Sequence, residues 1–307
     1  MKHIPVLLHQ VIEGLDIKPT GIYVDLTLGR AGHSKEIAKR LTTGTLIGVD
    51  QDEEAIKESR ENLKDVKCHV EIVKSNFVRI KDILEELGID KVDGILMDLG
   101  VSSPQFDEGD RGFSYQYDAP LDMRMDQKEN TLTAKEIVNN YSLQELVRIF
   151  TQYGEDKYSY QIAKNIVKER AIKPINTTLE LVEIIKKSKP MKELAKAGHP
   201  AKQIFQALRI ATNDELNVLK EALKDCLDVL GSKGRLAVIS FHSGEDRIVK
   251  SMFNEKTKIK GNRLNIPDPE IKIEYRLITN HPLIADEDEI AINHRSKSAK
   301  LRIIERL

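Results

Sequence analysis

Continuous apolar runs and amphipathic stretches alternate along the first hundred residues of the chain. The runs at 22–26, 45–49, 70–73 and 92–96 have the length and continuity of buried strands. Between them, 34–41, 53–63 and 80–87 carry apolar residues at helical spacing. Ahead of the first strand, within 3–15, Val6, Leu7, Val11, Ile12 and Leu15 mark one side of a short amphipathic helix. Such alternation predicts a parallel, doubly wound sheet. The pattern breaks at Leu99. Residues 99–126 are rich in turn formers, yet hold Phe106, Phe113, Tyr115, Tyr117, Met123 and Met125. That is too apolar for disorder, and it predicts a structured loop at the active site. From 131 to 196 only helical patterns occur: one opens on a Thr133 to Glu136 capping box, and others cover 143–150, 158–170 and 178–187. One long helix over 201–230, ended by Gly231-Ser232-Lys233-Gly234, then leads into strands at 235–240, 271–278 and 299–305. The expected fold is α/β with an inserted all-helical domain. Residues 1–106 and 200–307 form the core; 107–199 form the loop and insert, placed over the ligand face.

Candidate chemistry collects where the strands end. Val24-Asp25-Leu26-Thr27-Leu28-Gly29-Arg30-Ala31-Gly32-His33-Ser34 reads as a strand, a small-residue turn and a helix start, a cradle for a nucleotide-like ligand. The second strand ends in Asp50, and a carboxylate there suits the two hydroxyls of a ribose. A dinucleotide fingerprint would place a glycine where Thr27 stands. Asp25, the small-residue turn and Asp50 therefore suit adenosyl-methionine, which has no pyrophosphate, better than the cofactor of a dinucleotide-dependent oxidoreductase. Phe77, after the third strand, is placed either to stack on an adenine or to fill the core. Asp98 ends the fourth strand. Ligands of doubly wound sheets bind at the carboxyl ends of the strands, where Asp25, Asp50, Phe77 and Asp98 all fall.

Composition narrows the class. Of 307 residues, 32% are charged and 40% hydrophobic, with no run near the roughly 20 apolar residues of a membrane span. The polar start, Met1-Lys2-His3-Ile4-Pro5, is unlike a signal peptide, so a cytoplasmic protein is expected. Cys68 and Cys226 lack metal-ligand spacing and read as small buried hydrophobes; no metal site is expected. A net charge of −1 argues against a non-specific DNA binder. A nucleic-acid substrate needs only a local basic patch. The run His294-Arg295-Ser296-Lys297-Ser298-Ala299-Lys300-Leu301-Arg302 is either that patch or a strand edge on which lysines discourage pairing.

The fourth strand's end, Asp98-Leu99-Gly100-Val101-Ser102-Ser103-Pro104, lies where methyltransferases acting on amines place acceptor-binding residues. An exocyclic amine is a poor nucleophile because its lone pair is delocalised into the ring. A carboxylate (Asp98) and a hydroxyl (Ser102) that accept its N–H groups draw the nitrogen towards a tetrahedral geometry and aim it at the methyl group. Phe241 and His242 end the fifth strand and are candidates to stack on and position a splayed base; Phe113 is another. Arg111, Arg124 and Arg209 are candidates for phosphates or, equally, structural ion-pair partners.

Taken together, these motifs resemble the bacterial 16S ribosomal RNA cytosine-N4 methyltransferases, the RsmH or MraW family. Further matching segments are His3-Ile4-Pro5-Val6-Leu7-Leu8, Gly48-Val49-Asp50-Gln51-Asp52, Arg111-Gly112-Phe113-Ser114, Pro120-Leu121-Asp122-Met123-Arg124-Met125, Tyr153-Gly154-Glu155, Phe205-Gln206-Ala207-Leu208-Arg209-Ile210 and Ser240-Phe241-His242-Ser243. The resemblance runs nearly end to end. It implies a class I SAM-dependent methyltransferase fold (Rossmann-like) and S-adenosyl-L-methionine as cofactor. It also implies methylation of N4 of a cytosine in the decoding centre (P site) of 16S rRNA in the small ribosomal subunit. It carries cofactor roles to Ala31, Gly32, His33, Asp50, Phe77, Asp98 and Gln105. Two positions depart from the family pattern: Ala31, usually glycine, is expected to be tolerated if its φ is negative, and Gly244, usually leucine, alters packing beside His242. Competing readings are a methyltransferase of DNA or protein amines and a non-catalytic RNA-binding assembly factor. The sequence leaves the oligomeric state open, a homodimer included.

Overall fold

The computed structural model describes residues 4–99, 109–128, 130–258 and 273–307. Two compact units result, one of residues 1–100 with 218–307 and the other of 101–217.

The first unit is built on a seven-stranded sheet. Its strands are β1 (Ile22–Asp25), β2 (Thr45–Asp50), β3 (His69–Lys74), β4 (Val92–Asp98), β5 (Leu230–Ser240), β6 (Tyr275–Leu277) and β7 (Lys300–Arg306), in the order β3-β2-β1-β4-β5-β7-β6. β1 to β5 pair in parallel, and β7 runs antiparallel between β5 and β6. This mostly parallel sheet with helices on both faces is the α/β architecture expected from the sequence. The apolar runs are continuous because both faces are covered. Val24, Leu26, Ile47, Val49, Ile95 and Met97 pack on one side with α4 (Ile80–Glu86), α11 (Glu215–Val229, from Leu219 on) and α12 (Ser243–Thr257). Tyr23, Leu46, Leu96 and Ile303 pack on the other with α1 (Leu8–Leu15), α2 (Gly32–Ala38) and Leu63 of α3 (Glu53–Leu63). Both cysteines are buried and unbridged, with Cys226 Sγ 3.9 Å from Met97 Sδ.

The second unit is helical, with its own core. Its helices are α5 (Ala134–Asn140), α6 (Leu143–Gln152), α7 (Ser159–Arg170), α8 (Thr178–Lys187), the short α9 (Met191–Leu194) and α10 (Lys202–Asn213). Capping boxes start α5 at Thr133, α6 at Ser142 and α8 at Thr177, each Glu at the third helical position closing back on the cap. Residues 109–128 belong to this unit. Phe113, Leu121 and Met123 are buried in its core beside Ile137, Phe150 and Phe205.

Three expectations are corrected. The helix expected over 201–230 is two helices, broken at Asp214, whose φ of 48° is left-handed. Asn213 precedes the break and turns its amide to the loop, donating to the Met123 carbonyl (2.8 Å) and accepting from the Met125 N–H (2.7 Å). Asn and Asp tolerate such geometry and favour helix ends. α10 therefore lies in the helical unit, which continues to Asn217 where the sequence suggested a boundary at 199. Gly231-Ser232-Lys233-Gly234 does not end a helix but bulges within β5: Leu230 pairs with Val92 and Arg235 with Gly94. Lys300 to Arg302 pair with β5 on one side; β6 reaches only Ile304 to Arg306, and on the side away from β5 Leu301 is bridged by Leu283. Arg302 donates to Asp246 Oδ1 (2.7 Å).

Candidate functional site

Strand order reverses between β1 and β4, and a crevice opens at their carboxyl ends in sheets of this kind. Every described candidate of the first unit lies on this rim or on the chain leaving it. Asp25 ends β1 and is fully buried. It accepts from the Thr27 N–H (3.1 Å) and from the Ser34 hydroxyl (2.7 Å). Burial pushes its carboxyl above the ordinary value, while His33 and these two hydrogen bonds pull the other way. Asp25 thus holds the turn together rather than facing a ligand. Thr27, whose hydroxyl accepts from the Asp98 N–H (2.8 Å), stitches this turn to the end of β4.

The turn itself uses left-handed backbone twice, at Gly29 (φ 50°) and Ala31 (φ 61°). The condition placed on Ala31, a negative φ, is not met: its methyl group sits where glycine carries no steric cost. Gly32 has a different reason to be glycine, since a Cβ there would come within 2.5 Å of Pro5 Cγ. The segment before α1 closes on the cradle in this way. His33 closes it further, its Nε2 donating to the Val6 carbonyl (2.9 Å). A carbonyl only accepts, so the proton is on Nε2, and Nδ1 faces Asp98 Oδ2 at 3.9 Å.

Asp50 ends β2. One oxygen accepts the Gly29 N–H (2.8 Å) and the other the Asp52 N–H (2.9 Å). Burial raises this carboxyl, and both N–H groups oppose the rise. Phe77 begins a 3-10 turn after β3, capped by Asn76 (3.0 Å to the Val78 N–H), and is half-buried against the core. Leu99 donates to the Ile239 carbonyl (3.0 Å), which sets the end of β4 beside the end of β5. There Phe241 and His242 lead into α12. Glu245 Oε2 accepts both their N–H groups (2.8 and 3.2 Å), and the Glu245 N–H reaches His242 Nδ1 at 3.4 Å. His242 Nε2 lies 3.1 Å from Glu245 Oε1. Glu245 thus holds Nδ1 through its backbone, while Nε2 is buried beside the Glu245 carboxylate without a hydrogen bond among the described residues.

Ser102 and Gln105 lie outside the described residues. The candidates in the second unit turn inward. Phe113 is 3% exposed, which corrects its expected role as a stacking surface for a base. Arg111 donates to the Arg124 and Met125 carbonyls and lies over the Phe113 ring, 5.5 Å from its centroid. Arg124 holds Asp122 with two nitrogens (2.8 and 2.7 Å) and the Asn130 carbonyl (2.9 Å). Arg209 holds Glu215 in a two-pronged pair (2.9 and 3.0 Å). Of the two roles offered for these arginines, this is the structural one. Thr27, Ser34 and Glu245 were missed. Glu245, three residues after His242, had a legible signal as the far half of a capping box.

The whole chain, residues 1–307, matches the model of the MraW methylase family. The chain belongs to this family. It is 53% identical to ribosomal RNA small subunit methyltransferase H of Exiguobacterium sibiricum, over 100% of this chain and 98% of that protein. Against the protein of the same name from Streptococcus pyogenes serotype M4 it is 50% identical, over 99% and 98%. Among solved structures, an rRNA methylase from Streptococcus thermophilus superposes with a TM-score of 0.43 at 11% identity, covering 100% of this chain and 99% of that one. Methylases of this family depend on S-adenosylmethionine, and the rim fits that cofactor. Asp50 is fixed at the rim by backbone N–H groups on both oxygens, in reach of a ribose hydroxyl. Among the described residues, no helix is long and apolar enough to cross a membrane.

Proposed function

We propose that this methylase transfers the methyl group of S-adenosylmethionine to N4 of a cytosine in the decoding centre of 16S ribosomal RNA, in the small subunit. The observation that carries the reading is Asp98 at the reversal of strand order, beside His33 and one strand from Phe241 and His242. The bound cofactor supplies an electrophilic methyl group on a sulfonium. Asp98 accepts an N–H of the cytosine amine and draws its lone pair out of conjugation. Phe241 and the flat face of His242 frame the base, and Glu245 fixes both. His242 positions rather than deprotonates, since the amine proton becomes acidic as the methyl arrives and leaves through Asp98 to solvent. Asp50 takes the ribose, Phe77 the adenine edge, and Ala31, Gly32, His33 and Gln105 complete the cofactor's surroundings, with Ser102 a second acceptor for the amine. The unit of residues 101–217, which contains the expected 107–199 insert, serves substrate recognition, and the enzyme acts in the cytoplasm.

The test is transfer of labelled methyl to small subunits lacking the modification, followed by nucleoside analysis. Label in N4-methylcytidine supports the reading. Label in another nucleoside overturns the acceptor, and cofactor binding without transfer to the subunit overturns the substrate.

A further inference from the structure

A polyanionic substrate requires a basic surface, and within the run at 294–302 Arg302 and Lys300 are both turned to Asp246. Positive charge collects instead in the helical unit. Residues 157–202 hold eleven lysines and arginines against four acidic residues, in a chain whose net charge is −1. The lysines share a neighbourhood. The hydrogen bond from Lys196, with the charges of Lys157 and Lys189, holds the Glu193 carboxyl below its ordinary value. Asn165, beside Lys164, donates to Ser188, beside Lys187 (2.8 Å). Lys157, Lys164, Lys187 and Lys192 are exposed, and no carboxylate among the described residues pairs with them. Their neighbours Lys173, Lys186, Lys189 and Lys196 hold Glu180, Glu183, Asp156 and Glu193. Like charges gathered without partners repel one another and cost stability, which a polyanion would recover.

The surface also carries flat rings. Tyr160 is 59% exposed one helical turn before Lys164. Tyr115 and His199 stack with centroids 4.3 Å apart and planes at 11°, and Phe205 meets Tyr115 edge-on. Burial, with Lys186 and Lys189, holds His199 below its ordinary value. Cations interleaved with aromatic faces are the arrangement that grips a single-stranded nucleic-acid backbone and its bases.

We infer that the lysine surface of Lys157 just before α7, Lys164 on α7 and Lys192 on α9 is the face by which the helical unit grips the phosphates of its RNA substrate. This rests on the reading above. The test is the Lys157→Glu, Lys164→Glu, Lys192→Glu triple variant. A control carries Lys57→Glu, Lys67→Glu and Lys224→Glu on the first unit, and both are assayed for methyl transfer to small subunits and for binding to protein-free rRNA across salt concentrations. The expected result is a KM for subunits raised at least about tenfold, with kcat within about twofold. The slope of log affinity against log salt becomes shallower by about 2 to 3, the loss of roughly three phosphate contacts. The control, and cofactor binding by either variant, stay at wild-type values. An unchanged KM and slope overturn the surface while leaving the methyl-transfer reading intact. A raised KM on subunits with unchanged rRNA binding and salt slope assigns the face to a protein partner and overturns it too. A wild-type enzyme that neither binds nor methylates subunits overturns both.

Discussion

The polar side chains of the two units were read from the same sequence and met different fates. On the sheet, Asp50 and Asp98 lie on the rim, while Asp25 is buried beneath it and turned to Thr27 and Ser34. In the helical unit, Arg111, Arg124 and Arg209 all turn to partners of their own unit. A residue at the end of a parallel strand has its position dictated by the sheet, which delivers its carboxyl ends to one crevice. A residue in a loop or on a helix has no such constraint, and a long guanidinium follows whichever acceptor packing provides.

That contrast can be broken at several points. The largest effect is expected at Asp98: Asp98→Ala should lower the methyl-transfer rate by about 10³ or more, since it removes the acceptor that shapes the amine. Single-turnover transfer to subunits measures it, and a loss under tenfold would move Asp98 from the chemistry to the scaffold. Next comes Asp25, which is scaffold by this account. Asp25→Ala leaves the buried Ser34 hydroxyl and the Thr27 N–H without their acceptor and should cost about 3 kcal/mol in urea unfolding. Arg209→Ala should cost about 2 kcal/mol by stranding Glu215, with KM for subunits unchanged; a raised KM at full stability would restore the arginine to the RNA.

A smaller effect is expected in the pH dependence of stability. Burial opposes ionisation of Asp246, but Arg302 and Lys300 outweigh it and hold the carboxyl below its ordinary value. The unfolded chain then binds the proton first as pH falls. Asp246 therefore contributes stability above the ordinary aspartate range, and this is lost as pH drops through its lower folded value. Arg302→Gln should flatten that acid-side slope in urea midpoints taken from about pH 3 to 7. The smallest effect belongs to Ala31→Gly. Relief of a left-handed alanine offsets one buried methyl group, so the melting midpoint should shift by the equivalent of less than about 1 kcal/mol.

Much of this was legible before any coordinates. The period of the apolar residues determined strands β1 to β4 and the helices between them, because burial on two faces leaves an unbroken run and burial on one leaves a stripe. It equally determined the capping boxes of the helical unit, and with them where its helices begin. Motif order alone pointed to the family. What only the tertiary structure decided were matters of partner choice. Asp214 ends a helix because Asn213 is claimed by a loop some ninety positions earlier in the chain. Gly231 to Gly234 bulge within a strand because Leu230 still finds Val92 across the sheet. Ala31 takes a left-handed conformation because the turn between Asp25 and α2 leaves it no other, and Phe113 is core because the loop that holds it closes on its own helices. Periodicity is a local property, read from neighbours in sequence. The partner of a turn residue or a long cation is set by distant segments, and only folding brings those together.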